Sequence, residues 1–126
     1  MILALRAGLI LGGLLLVFMG IGFLIDPAVS AADFGITVEG AHGLTSVRAD
    51  FTAFFTVGGA CFIWGAWQRR RDPLIIGAAL MLVTLVSRVV ALLIDGSFDG
   101  FITPMVVEAL LGIFGLIAAK KLPAAN

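Results

Sequence analysis

The sequence predicts an all-α integral membrane protein, a bundle of four antiparallel transmembrane helices, and three observations carry that prediction. Of the 126 residues, 61% are hydrophobic and only 13% are charged, whereas soluble domains run nearer half apolar and a quarter charged. Mean hydropathy is +1.17. The apolar residues gather in four runs, each near the ~20 residues needed to cross a bilayer, and most charges fall between the runs. The length fits one domain over residues 1–126. Formal net charge is zero, which leaves no electrostatic footprint for nucleic acid. The partners expected are the lipid bilayer and other membrane chains or further copies of this one. The lone cysteine, Cys61, excludes an internal disulfide.

The first helix is expected at about residues 5–25. Arg6 in front and the small residues Ala28, Ser30 and Ala31 behind imitate a signal peptide, but the apolar run from Ala7 exceeds the ~7–15 residues of a signal core. It reads as a retained span. The second helix, about 47–67, runs into Gln68 and the arginines 69–71. The third, about 73–95, follows Asp72 as N-cap with Pro73 at the first helical position, and Gly96 suits the residue after its end. The fourth, about 101–120, stops at Lys120 and Lys121, with Thr103 and Pro104 marking a delayed start.

Orientation follows from Lys and Arg, which favour the cytoplasmic side. Arg6, Arg69, Arg70, Arg71, Lys120 and Lys121 fall on one side of a four-pass trace, and Asp26, Asp33, Glu39, Asp95 and Asp99 on the other. Both termini are therefore expected on the cytoplasmic side of the membrane. Trp64 and Trp67 fit an aromatic belt at the basic interface. The exterior loop, 26–46, opens with Asp26 and Pro27, which can start a short helix through Phe34 that Gly35 ends. The plain reading of this loop is a connector. A lid of Val29, Phe34, Ile36 and Val38 over the bundle mouth is the alternative.

Two charges lie within spans, where a charge costs roughly 2.5–3.5 kcal/mol on insertion scales and usually has a purpose. Arg88 falls roughly 9 Å inside the outer end of the third helix and Glu108 roughly 10 Å inside the outer end of the fourth, at 1.5 Å per residue. Matching depth on neighbouring antiparallel helices predicts an ion pair. Asp95, two turns after Arg88, shares its face, and Thr84 and Ser87 extend that polar patch. Arg48 and Asp50 point about 200° apart on the second helix. Arg48 is expected to face the bundle or Asp95, with Asp50 at the wet rim. The candidate cluster, structural or ligand-binding, is thus Arg48, Asp50, Arg88, Asp95 and Glu108, a vestibule between helices two, three and four. Gly8 and Gly12 form a small-xxx-small step, and Gly58, Gly59, Gly65, Gly77, Gly112 and Gly115 lower the other helix surfaces for close packing.

Reaction chemistry is sparse. His42, the single histidine, sits in the exterior loop, so no spanning histidine can ligate haem or a metal. The sequence has neither HExxH nor GxSxG, and no Gly-rich phosphate loop. No catalytic residue, metal or cofactor is expected. Taken together, Val47-Arg48-Ala49-Asp50-Phe51 leading into Gly58-Gly59, then Ser87-Arg88, Asp95-Gly96 and Glu108, resemble a bacterial family of small four-helix membrane proteins catalogued as a domain of unknown function. Such families commonly carry Gly-Arg where this chain has Ser87-Arg88. The resemblance implies the bundle and its polar cluster and supplies no activity. The expected function is a non-enzymatic accessory subunit or partner in a larger membrane assembly. The alternative is a binder or transporter of a small molecule, lipid or ion at the outer charged pocket, and an intramembrane isomerase-like or lipid-modifying enzyme comes third.

Overall fold

The structure, a computed structural model, describes residues 1–124. Its helices in chain order are α1 (Ile2–Ile25), α2 (Pro27–Ala32), α3 (Gly40–Gln68), α4 (Arg71–Asp95) and α5 (Ile102–Ala124). All but the short α2 are long and apolar enough to cross a membrane, so the chain is a multi-pass helical membrane protein. α1 packs along α3 and α4 along α5, α3 joins the two pairs through α4, and α1 touches α5 only thinly.

Helix boundaries correct the sequence reading where it counted apolar residues. α3 begins at Gly40 rather than 47, because nothing in the polar turns around His42 and Ser46 breaks a helix once it has left the lipid; the Ser46 hydroxyl donates back to the His42 carbonyl at 3.0 Å. α4 begins at Arg71, so Asp72 is not its cap and lies instead within the first turn, where an anion favours the helix dipole. α5 begins at Ile102, with Thr103 and Pro104 already inside the helix and the turn made by Gly100 at φ 83°. Two sequence expectations hold. Asp26 caps α2 by accepting from the Val29 amide at 3.2 Å, with Pro27 at the first position, and Gly96 ends α4 at φ 87°.

Close approach between α1 and α3 explains their pairing. A Cβ on Gly13 would stand 2.6 Å from the Gly59 carbonyl oxygen, and one on Gly20 would stand 3.0 Å from the Thr56 amide nitrogen. Without side chains there, the backbones meet directly and gain dispersion contacts, which must hold helices together where lipid removes the hydrophobic drive. The expected Gly8 and Gly12 step is not this seam: Gly12 faces Leu111 of α5, and Gly8 has nothing within 4 Å. At the centre, the fully buried Phe62 of α3 lies over Gly77 of α4 and Gly115 of α5, where added Cβ atoms would be 3.1 and 2.9 Å from its ring. One large side chain thus keys the two helix pairs together.

The connector after α1 is packed rather than loose. Phe34 lies against Phe23, Phe51 and Phe55 with ring centroids 5.5, 6.2 and 5.8 Å away, and Ile36 and Val38 pack on the core. Val29 instead stays exposed. Three of the four expected lid residues therefore do cover the α1–α3 end of the bundle.

Candidate functional site

Two arginines sit at opposite ends of the α1–α3 pair and do the same job. Helix C-termini leave carbonyl groups without intrahelical donors. Arg6, in the first turns of α1, donates from Nε to the Ala66 carbonyl and from Nη2 to the Trp67 carbonyl, both at 2.9 Å, and so caps the end of α3. Arg48 donates from Nε to the Leu24 carbonyl at 3.0 Å and so caps the end of α1. Arg48 therefore faces α1 and not Asp95, because antiparallel packing sets it against unspent carbonyls on its nearest neighbour. Sequence reasoning treated Arg6 only as a topology anchor. A basic residue in the opening turns of one helix, opposite the closing turn of an antiparallel neighbour, was the available signal.

The remaining charges meet between α4 and α5. Arg88 Nε donates to Glu108 Oε1 at 2.6 Å, with the side chains 29% and 9% exposed, as matching depth predicted. The contact uses one nitrogen and one oxygen. It is the one side-chain hydrogen bond of Arg88 among the described residues, so the terminal nitrogens of its guanidinium remain unspent. Glu108 Oε2 is buried with no hydrogen-bond partner. Thr52 Oγ1 on α3 is a second buried side-chain oxygen in that condition. Leaving such a group unsatisfied costs about 1–3 kcal/mol, and more when charged.

A small pocket of about 150 Å³ opens beside Arg88 at the acidic end of the molecule. Ala91, Leu92 and Asp95 of α4 line it with Arg88, and Gly96, Phe98, Phe101 and Met105 close it from the turn and α5. Phe98 and Phe101 meet edge to face, with centroids 6.3 Å apart. The pocket joins a cation, a carboxylate and an apolar wall, and because Glu108 already neutralises Arg88, the carboxylate of Asp95 makes the balance there negative.

Of the sequence-derived cluster, the structure brings Arg88, Glu108 and Asp95 together and separates Arg48. Asp50 is exposed. Thr84 and Ser87 do not extend the patch, since their hydroxyls donate to the carbonyls of Leu80 and Val83 at 2.7 and 2.8 Å. The expected vestibule of three helices is accordingly a pocket of two. Among the described residues, no group of three or more His, Cys, Asp or Glu side chains is placed to hold a metal ion.

This arrangement of landmarks matches a known family profile, described as a domain of unknown function (DUF4345), over residues 4–119. The chain belongs to that family. Neither the comparison with curated proteins nor that with solved structures gives a match. In this DUF4345 domain the matched span includes Arg6, Arg48, Arg88, Asp95 and Glu108, hence both cross-helix caps and the whole pocket.

Proposed function

We propose that this chain is a non-enzymatic membrane protein that binds a small dipolar amphiphile at the Arg88 pocket, from the leaflet at its acidic end. The observation that carries this reading is the single-atom grip of Glu108 on Arg88, which holds the guanidinium in place and leaves its terminal nitrogens unspent. A ligand acceptor such as a phosphate or carboxylate oxygen meets those nitrogens. Its ammonium or hydroxyl donor meets Asp95, which offsets the negative balance a simple anion would face. Its apolar stem rests on Phe98, Phe101 and Met105. The cavity has room for a headgroup of a few heavy atoms, roughly the space of five waters at ~30 Å³ each.

Short-chain phosphatidylethanolamine titrated into the micellar protein tests this, with thermal stabilisation as the readout. Asp95→Asn weakens binding of the zwitterion more than binding of a short-chain phosphatidylglycerol, and Arg88→Lys weakens both. Equal stabilisation of wild type and both variants would refute the reading.

An accessory role within a larger membrane assembly is the second reading, supported by the seam left open between α1 and α5. Isolation from native membrane with a stoichiometric partner chain would favour it, and a monodisperse single species would count against it. Both readings set the protein in a bacterial cytoplasmic membrane, as its resemblance to a bacterial family of small four-helix membrane proteins implies, with its basic end inside by the distribution of Arg and Lys. Selective labelling of single cysteines from either side of the membrane checks that orientation.

A further inference from the structure

The thin contact between α1 and α5 leaves a lateral groove of about 590 Å³, well within the ~300–1,000 Å³ of ligand sites. Its floor is the backbone at Gly8, where an added Cβ would meet nothing within 4 Å. Its walls are apolar, among them Leu5 and Leu9 of α1 and Leu110 and Phe114 of α5. Among the described residues, Lys121 is the one charged side chain that lines it, and it does so at the basic end of the molecule. At the other end its last lining residues are Gly12 of α1, over which Leu111 packs, and Val107 of α5. From Met1 to Gly12 the helix rises about 16 Å at 1.5 Å per residue, close to one leaflet of a hydrocarbon core ~30 Å thick.

We propose that this groove holds one acyl chain of an anionic phospholipid from the leaflet at the basic end, with its phosphate on Lys121. Length and charge together favour this occupant. A spanning helix needs a seam across the whole core and would run past the end of the groove at Gly12 and Val107, whereas a single chain ends within it. A lone cation at the headgroup level of an otherwise apolar slot complements an anionic lipid and has no counterpart on an apolar helix. Lys120 and the arginines 69–71 at the same end add to the attraction, each basic group near the surface favouring anionic lipid.

The test uses the full chain in vesicles of phosphatidylcholine and phosphatidylglycerol in a 4:1 ratio, released for native mass spectrometry with retained lipid counted. Wild type is expected to keep one lipid, with the ratio of phosphatidylglycerol to phosphatidylcholine raised about fivefold over that of the vesicle, the effect of one lysine near the headgroup. Gly8→Leu, whose Cβ has open space, is expected to fill the slot and lose the retained lipid while circular dichroism and thermal unfolding stay unchanged. Lys121→Gln keeps a bound lipid but loses most of the enrichment. Retention of phosphatidylglycerol by Gly8→Leu, or undiminished enrichment in Lys121→Gln, would overturn the proposal. So would disulfide dimers of Gly8→Cys in a Cys61→Ala background, which would assign the groove to a second copy.

Discussion

The two helix pairs of this molecule solve the same problem by different means. In lipid, apolar side chains gain nothing by leaving the solvent, so helices must associate through close van der Waals contact or through polar groups. α1 and α3 use the first route: glycines at 13, 20 and 59 bring the backbones together, Phe23 stacks on Phe55 with centroids 5.6 Å apart, and no charged pair lies between them among the described residues. Their arginines act only at the ends, on carbonyls the helices cannot satisfy. α4 and α5 use both routes, with Leu82 seated at Gly112 and the Arg88–Glu108 bridge one turn further toward the acidic end. α3 also carries a buried oxygen without a partner, the neutral hydroxyl of Thr52, but among the described residues no charged side chain is buried between α1 and α3. The bridge leaves a buried oxygen and spare donors, and the pocket forms beside it. On the proposed reading, the region held by packing is architecture, and the region held by an incompletely satisfied charged pair is where a ligand has something to gain.

The comparison breaks most sharply at Gly59. A Cβ there meets the Gly13 carbonyl and, at 2.9 Å, the Val17 amide nitrogen, neither of which can turn aside. Gly59→Leu should cost about 3 kcal/mol or more, the upper end for overpacking, and most of the protein should fail to fold in detergent unfolding assays. Arg88→Met comes next, at about 2 kcal/mol, because it strands a carboxylate that is 9% exposed. That figure sits below the 3–5 kcal/mol of soluble buried pairs because the arginine side is partly open and membrane polar contacts are weaker. Arg6→Met removes two bonds to the end of α3 from a partly exposed side chain and should cost about 1 kcal/mol. The smallest effect, about 0.5 kcal/mol, is expected for Arg48→Met, read best as faster amide exchange in the last turn of α1. A ranking in which Arg88→Met exceeded Gly59→Leu would reverse the assignment of architecture and site.

Much of this was legible in one sequence because hydropathy and charge depth are one-dimensional signals. The four spans, the Asp26 cap, the Gly96 stop and the Arg88–Glu108 pair follow from counting residues along helices. Rotation about the helix axis does not follow from counting. For Arg48, depth alone allows either the bundle or Asp95, and only the packing of α3 on α1 turns it toward Leu24. The same ambiguity placed the packing seam at Gly8 and Gly12, one position from Gly13 and so about 100° around the helix. The starts of α3 and α4 were missed because a helix continues into water beyond the apolar residues that announce it.

The central claim is that the Arg88–Glu108 pair is needed for binding more than for folding. The paired variant Arg88→Met/Glu108→Leu removes both charges together and leaves no stranded group, so it should unfold within about 1 kcal/mol of wild type. Thermal unfolding with and without short-chain phosphatidylethanolamine measures both properties in one experiment. The account predicts a variant that folds normally and gains no stability from the lipid. Full lipid stabilisation in that variant, or its collapse in the absence of lipid, would contradict it.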